Sequence, residues 1–229
     1  IVGVGAIMPD ALTAQAFWEN IKNGHDSIRE VPTDRWDPAL YWNADRSAPD
    51  KTYSKIGGFV SGFNFDRKAF RMPPSVVGKT DPTQLVCLEA VREALQDSGY
   101  DQKDFDRNRC AVVLGNALGG DLRDETNLRI RYAEINQLLR ESLVEASLGQ
   151  LNGAQLEATL EAMEKRVKSQ YTSISEDYMP GELANVIAGR VAGTFDLRGP
   201  NFTVDAACAS SLAAIETAVL GLRSGQYDM

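Results

Sequence analysis

Cys208 is the residue whose place in the sequence is best suited to chemistry. It follows a strand-like run at residues 202–206 and opens an apolar, alanine-rich run with helical spacing at residues 208–222. The first N–H groups of a helix lack internal partners, and the helix dipole puts partial positive charge there. A thiol at that point is pushed towards the reactive thiolate. The pattern predicts an acyl-accepting cysteine nucleophile whose own backbone N–H helps to hold a developing oxyanion.

The alternative is a purely structural role, in which Cys208 is a small buried hydrophobic residue. Spacing alone does not decide between the two interpretations, although the alanines on both sides of Cys208 leave room for a substrate. The other two cysteines, Cys87 and Cys110, fall in the middle of a predicted helix and at the head of a predicted buried strand. We therefore expect Cys87 and Cys110 to be structural.

The scarcity of histidine and cysteine excludes several kinds of site. The chain has one histidine, His25, and three cysteines, none of them in a Cys-x-x-Cys pair. Zinc sites of the usual spacing cannot be built from this set, so we predict no metal site. An odd, sparse set of cysteines is typical of reduced proteins of the cytosol, and we expect a cytoplasmic location.

The overall composition is that of a globular chain. It has 229 residues, of which 43% are hydrophobic and 24% are charged, and this rules out disorder along its whole length. The net charge of −8 argues against a nucleic-acid partner. There is no apolar run long enough to predict a membrane span. Because the chain begins within an apolar segment and ends without a polar tail, we expect both ends to be cut from a longer protein.

The elements that must position Cys208 alternate between strand and helix. Strands are predicted over residues 1–6, 110–115 and 202–206. Helices are predicted over residues 14–23, 81–98, 183–193 and 208–222. The first two strands are unbroken apolar runs, as in buried strands, and the last helix is so apolar that we expect burial on most of its sides. This alternation predicts a layered α/β fold.

Two of these helices carry clear end signals. Thr13 is a predicted N-cap, and Gly24 lies just past the end of the same helix. Asp81 is the predicted cap of the next helix, in which Gln84 completes a capping box and Gly99 marks the end. Local residue types therefore define both helices.

Residues 121–180 differ in character from the rest of the chain. They are rich in Glu, Arg, Gln and Leu, with apolar residues at helical spacing over 134–148 and 156–167 and a break at 149–153. This pattern predicts a hairpin of two amphipathic helices. The sheet pattern resumes afterwards, so we interpret the hairpin as an insertion.

Four stretches, taken in order, are similar to successive blocks of one enzyme family. They are MPDALTAQAFWENIKNGHDSIREVPTDRW at 8–36, GGFVSGFNFDRKAF at 57–70, DPTQLVCLEAVREALQDSGY at 81–100 and NVIAGRVAGTFDLRGPNFTVDAACASSLAAI at 185–215. The family is the β-ketoacyl synthases, the condensing enzymes of fatty-acid and polyketide assembly. The resemblance covers nearly the whole chain and identifies Cys208 with the family's nucleophile.

The resemblance implies a fold and a mechanism. The fold is α/β and thiolase-like, with two similar layered halves, and residues 1–229 correspond to its N-terminal half. The implied enzyme is a homodimer within a multidomain synthase. It takes an acyl chain from the phosphopantetheine arm of an acyl carrier protein onto Cys208, and then condenses that chain with a malonyl-type extender that loses CO₂. No metal or diffusible cofactor is implied.

The chain departs from the family pattern in its histidines. The family's two catalytic histidines lie in the second half of the fold, and His25 matches neither of their motifs. We therefore expect this chain to carry the nucleophile but not to catalyse condensation alone. We expect His25 to be a surface or structural residue, and Asp205 to shape the end of the strand that precedes Cys208. Arg123, Arg129 and Arg131 are a candidate basic patch for an acidic carrier protein.

A finer resemblance concerns the type of synthase. WNADRSAPDKTYSKIGGF at residues 42–59, the insertion, and VDAACASSLAA in place of the modular polyketide VDTACSSSL are most similar to synthases of polyunsaturated fatty acids and related iterative polyketide-type lipids. Two other interpretations remain open at this point. One is a thiolase-like transferase that acts on coenzyme A esters, and the other is a non-catalytic partner like a chain-length factor, against which the presence of Cys208 argues.

Overall fold

The computed structural model of the chain describes residues 1–147 and 152–229. The helices in these ranges are α1 (Ala14–Lys22), α2 (Pro38–Tyr41), α3 (Pro74–Val77), α4 (Pro82–Ser98), α5 (Leu122–Ser147), α6 (Gly153–Lys168), α7 (Tyr178–Glu182), α8 (Val186–Thr194) and α9 (Ser210–Arg223). The strands are β1 (Ile28–Glu30), β2 (Ile56–Gly58), β3 (Val112–Gly115) and β4 (Asn201–Val204). Short 3-10 turns at Arg107–Arg109 and Ala207–Ala209 precede β3 and α9.

The first of two compact units comprises Ile1–Asp66 and Val86–Phe105. In it, β1 and β2 pair antiparallel, with Ile28 opposite Gly58. Helix α1 begins as predicted, because the Thr13 hydroxyl accepts a hydrogen bond from a first-turn amide at 3.1 Å. The pairing of β1 with β2 lies outside the strands that the sequence predicts.

The segment at residues 1–6 is not the buried strand that the sequence predicts. It pairs with no strand of the described chain, and its large apolar side chains are exposed. Its amides are instead satisfied by carboxylates of α4: the Val4 N–H donates to Asp97 at 2.8 Å and the Ala6 N–H donates to Glu93 at 2.9 Å. Side-chain acceptors thus replace the neighbouring strand that an apolar run would usually require.

The second unit comprises Arg67–Leu85 and Asp106–Met229. At its centre, β3 and β4 form a parallel pair in which Gly115 lies opposite Val204. Helices α8 and α9 both pack against this pair, and α8 directs Ile187, which is 3% exposed, into the core. The unit has the alternating strand and helix layers that the sequence predicts.

Asp81 connects two helix starts within the second unit. Its carboxylate accepts the Thr83 N–H of α4 at 2.8 Å and the Leu122 N–H of α5 at 3.0 Å, and the residue is 1% exposed. The predicted cap is confirmed, but the predicted capping box is wrong. The Asp81 amide donates to the Gly181 carbonyl, and the Gln84 side chain donates to that same carbonyl at 2.7 Å.

Helices α5 and α6 form the predicted helical hairpin. Helix α5 begins at Leu122 rather than near residue 134, and an ion pair between Arg140 and Glu157 joins it to α6. Residue 148, the end of the first predicted helix, and residues 149–151 of the predicted break lie outside the described residues. The hairpin itself is confirmed, with a longer first helix.

The three arginines of the insertion do not form a single basic patch. Arg129 is half-buried and donates to the carbonyls of Lys168 and Tyr171 at 2.5 and 3.0 Å, just at the end of α6, where the helix dipole favours a cation. Arg131 lies two residues further along α5, about 200° around the helix, and is exposed. Arg129 is committed to the structure of the hairpin and is not presented together with its neighbours.

Helix α9 is less buried than the sequence predicts. Its small residues Ala214 and Gly221 are buried, whereas Leu212 and Ile215 are 71% and 60% exposed. One side of the helix packs on the β3–β4 pair, and no element of the described chain covers the other apolar side. The expectation of burial on most sides is therefore wrong, because periodicity shows where apolar faces lie but not what covers them.

Candidate functional site at Cys208

Cys208 lies between the end of β4 and the start of α9, as the sequence predicts. The 3-10 turn Ala207–Ala209 carries it directly into the first residue of α9, Ser210. The residue is exposed to solvent, so the alternative of a small buried hydrophobic residue is wrong. A thiol at this point is accessible and lies beside the positive end of a 14-residue helix.

The backbone just before the thiol is strained. Ala207 has a φ of +49°, in the left-handed region that residues with a Cβ rarely occupy. Such a conformation costs roughly 1–2 kcal/mol per residue, so the surrounding structure must hold it in place. The turn therefore depends on specific contacts.

Two side chains supply these contacts. The Asp205 carboxylate accepts the Ala207 N–H at 2.9 Å. The Ser210 hydroxyl donates to the Ala207 carbonyl at 2.6 Å and accepts the Ala206 N–H at 3.0 Å. Asp205 thus shapes the end of the strand, as expected, while the role of Ser210 was not identified from the sequence.

A glycine on β3 allows α9 to start where it does. A Cβ on Gly115 would lie 2.5 Å from the Ser210 carbonyl oxygen and 2.7 Å from the Ser211 nitrogen, closer than any real side chain can approach. Sequence reasoning did not identify Gly115 as part of the site. The available signal was a glycine directly after the apolar run at residues 110–114.

Cys87 and Cys110 differ from Cys208 in their surroundings. Burial raises the pKa of the half-buried Cys87 thiol to about 11. Burial also raises the pKa of the Cys110 thiol, against a smaller opposing effect of the Arg107 charge. A raised pKa lowers the thiolate fraction at neutral pH and with it the reactivity, which supports the prediction that both residues are structural.

His25 lies on the surface of the first unit. Its Nε2 atom is 3.2 Å from the Asp10 carboxylate, which also accepts a hydrogen bond from Arg29 at 2.7 Å. Across residues 1–147 and 152–229, no group of His, Cys, Asp and Glu side chains has a geometry that could hold a metal ion. None of the helices in these ranges combines the length and apolar character needed to cross a bilayer.

Comparison with known proteins gives one consistent picture. A family model described as "Beta-ketoacyl synthase, N-terminal domain" matches residues 1–229. Over all of its length the chain is 35% identical to a polyunsaturated fatty acid synthase of Thraustochytrium sp. and 32% identical to polyketide synthase PksL of Bacillus subtilis. Both relatives are far longer, and the chain spans 8% and 4% of their lengths.

Solved structures show the same fold. The oxazolomycin ketosynthase domain OzmH KS7 of Streptomyces albus superposes with a TM-score of 0.67 at 27% identity, covering 99% of this chain and 32% of that chain. The ketosynthase from module 6 of the bacillaene synthase of Bacillus subtilis superposes with a TM-score of 0.63 at 22% identity, covering 99% of this chain and 30% of that one, and supports the fold alone. The predicted thiolase-like α/β fold is confirmed.

Proposed function

Because the chain belongs to the β-ketoacyl synthase family, matching its N-terminal domain over residues 1–229, we propose that Cys208 is an acyl-accepting nucleophile. The observation that carries the proposal is an exposed thiol on a strained turn at the start of α9. Nucleophiles on such turns are accessible to large substrates and lie close to backbone donors.

The proposed first step is transfer of an acyl chain from the phosphopantetheine arm of an acyl carrier protein. The Sγ atom of Cys208 attacks the thioester carbonyl, and the oxyanion that forms is held by the Cys208 backbone N–H. The new carbon–sulfur bond forms, the bond to the pantetheine sulfur breaks, and the pantetheine thiol leaves with a proton. The helix dipole of α9 favours negative charge on the oxyanion at this position.

The second step is condensation, for which this chain supplies the thioester but not the other groups. A malonyl-type extender loses CO₂, and its carbanion attacks the carbonyl carbon of the Cys208 thioester. The new carbon–carbon bond forms, the bond from that carbon to Sγ breaks, and the Cys208 thiol is regenerated. In this family two histidines from the second half of the fold promote that step, whereas the single histidine here pairs with Asp10 on the surface. We therefore assign condensation to a complete ketosynthase domain of which these residues are the N-terminal half.

The wider setting follows the relatives. These relatives are named as polyketide and polyunsaturated fatty acid synthases, and the chain covers a small share of each. Our proposal is a ketosynthase that dimerises and works beside other domains of a multidomain cytoplasmic synthase, with no dedicated cofactor beyond the carrier's phosphopantetheine. The exposed Leu212 and Ile215 of α9 support this setting, because large exposed apolar surfaces mark sites of contact with further protein.

The test is the Cys208→Ala variant of the full-length synthase. Removing the sulfur deletes the acyl acceptor, so we expect condensation to fall by about 1000-fold or more. Mass spectrometry of the tryptic peptide of residues 199–223 should show acyl addition in the unsubstituted protein and none in the variant. Cys87→Ala serves as the control and should retain acyl loading. Condensation at the original rate by Cys208→Ala would contradict the proposal.

A comparison of acyl donors separates this proposal from a thiolase-like transferase. The same acyl group is offered on an acyl carrier protein and on coenzyme A, and the rate of addition to the 199–223 peptide is measured. We expect the carrier-linked donor to load faster. Preference for the coenzyme A ester would favour the alternative enzyme.

A further inference from the structure

Ser210 is a buried polar residue whose side chain serves the turn that carries the thiol. It is 5% exposed, and its hydroxyl joins the Ala206 N–H, at 3.0 Å, to the Ala207 carbonyl, at 2.6 Å. The Ser210 backbone N–H donates to the same Ala207 carbonyl. One residue therefore binds both ends of the short segment that leads into Cys208.

These contacts matter because Ala207 does not favour its own conformation. A glycine would adopt a φ of +49° at little cost, but this position holds an alanine. Without the hydroxyl, only the Asp205 carboxylate and the Ser210 backbone N–H would hold Ala207 against its strain. We therefore expect the backbone to shift and the direction of the following residue to change with it. The hydroxyl of Ser210 thus stabilises a conformation that a glycine would adopt by itself, and it does so without adding flexibility.

Ser210 is itself fixed from behind. The backbone at Gly115 passes so close to the Ser210 carbonyl that a Cβ would lie 2.5 Å from it. The serine backbone is therefore held against the β3 strand, while its side chain holds the turn. Through Ser210, the β3 strand therefore restricts movement of the backbone that carries the thiol.

We propose that Ser210 is a positioning residue for acyl transfer. Its hydroxyl keeps Ala207 in the left-handed conformation and so sets the direction of the Cys208 Sγ and N–H towards the incoming thioester. This inference rests on the proposed function of Cys208. It adds a residue that touches no reacting atom and acts through the backbone of the turn.

The test compares Ser210→Ala with Ser211→Ala in the full-length synthase. Ser211 is the exposed neighbouring serine and serves as the matched control. Misplacement of a reacting group by about 1 Å costs on the order of 100-fold in rate, so we expect Ser210→Ala to lower kcat for acyl loading by about 10- to 100-fold. We expect KM for the acyl carrier to stay within about 2-fold, because the buried Ser210 offers a carrier almost no surface to contact.

Two further variants distinguish positioning from loss of the fold. Ser210→Thr keeps the hydroxyl and should recover loading to within about 5-fold. In Ala207→Gly/Ser210→Ala, a glycine accepts the left-handed φ without the hydroxyl, so loading should rise about 5-fold above that of Ser210→Ala. If the Ser210→Ala protein does not fold, the other two variants are compared with the original protein: Ser210→Thr should load within about 5-fold of the original rate, and the double variant within about 20-fold.

The outcomes separate this inference from the proposed function. If Cys208→Ala is inactive but Ser210→Ala loads acyl groups within 2-fold of the original rate, positioning by Ser210 is wrong and the nucleophile stands. Equal losses in Ser210→Ala and in the double variant also overturn positioning, because turn conformation would then not explain the loss. Condensation by Cys208→Ala would overturn both proposals.

Discussion

An aspartate lies near the start of both α5 and α9. Asp81 accepts an amide of α5 itself, which we call a closed helix start, whereas Asp205 accepts an amide of the turn before α9, which we call an open one. Asp81 is almost fully buried, and its carboxylate accepts the first amide of α5 together with an amide of α4. Asp205 is exposed and binds the turn before α9, and among the described residues no side chain caps the α9 start. The start of α5 is used to join elements, whereas the start of α9 is left without a side-chain cap.

The difference shows how one physical feature serves two purposes. Free N–H groups at a helix start must find acceptors, and a buried carboxylate is the stable solution at α5. At α9 the strained turn is held by its own contacts and no described side chain caps the helix, so its positive end is open to the oxyanion that we propose. The proposed site thus combines a helix start without a side-chain cap with a turn that side-chain contacts hold in place.

The largest expected effect on local stability is that of Asp81→Ala. The change removes a cap from two helices, at about 0.5–2 kcal/mol each, and leaves buried amides without partners, at roughly 1–3 kcal/mol. We expect the local free energy of opening at the start of α5 to fall by about 3 kcal/mol. Amide hydrogen exchange of the full-length protein measures this quantity.

The matched control for Asp81→Ala is Asp205→Ala. Asp205 is exposed, so water can replace its carboxylate, and we expect the opening free energy near α9 to fall by under about 1 kcal/mol. If the opening free energy fell equally at the two helix starts, the distinction between a closed and an open start would be wrong.

The caps illustrate what the sequence can predict. Asp81 and Thr13 are recognisable as caps because capping is local: residue type and a spacing of two or three residues decide it. The junction at Cys208 is predictable for the same reason, since it lies between adjacent elements. Local signals of this kind define the α/β alternation and the position of the candidate nucleophile.

What escaped prediction depends on residues that are distant in sequence. Gln84 matches a local capping box, but carbonyls nearly a hundred residues away in the chain accept its amide group instead. Gly115 approaches Ser210 only because β3 pairs with β4 and α9 returns across them. The role that we propose for Ser210 depends on the positive φ of Ala207. An alanine in the sequence gives no sign of a positive φ, so this role could not be predicted.

An intermediate effect is expected from Gly115→Ala. The added methyl would meet the Ser210 backbone at 2.5 Å, and overpacking of this kind costs about 1–3 kcal/mol. Because the start of α9 must move, we also expect slower acyl loading of Cys208, by about 10-fold or more. Mass spectrometry of the 199–223 peptide measures the loading.

Gly193→Ala is the control for this substitution. Gly193 lies in α8, and a Cβ there would meet nothing within 4 Å. An alanine in an open helical position should stabilise α8 by up to about 1 kcal/mol and leave loading unchanged. If both alanine variants load at the original rate, the close approach of β3 does not set the position of the thiol.

The smallest expected effect is on the pH dependence of stability at the start of α5, where several carboxylates lie close together. Burial, followed by the neighbouring charges of Asp121 and Asp81, raises the pKa of Glu125 in the first turn of α5 above its ordinary 4.5. The folded state therefore holds the Glu125 proton to higher pH than the unfolded state does. Its contribution to stability is present below pH 4.5 and is lost as pH rises through the folded-state pKa.

Glu125→Gln removes this titration and tests its sign. As pH rises from 4.5 to 7, the stability of the start of α5 in the variant should gain on that of the original protein, by less than about 1 kcal/mol. Hydrogen exchange of both proteins at each pH measures the gain, because the intrinsic exchange rate cancels in the comparison. If the original protein instead gained stability over that range, the charged Glu125 carboxylate would be favoured at the start of α5. The helix start that Asp81 caps would then tolerate more negative charge than its burial implies.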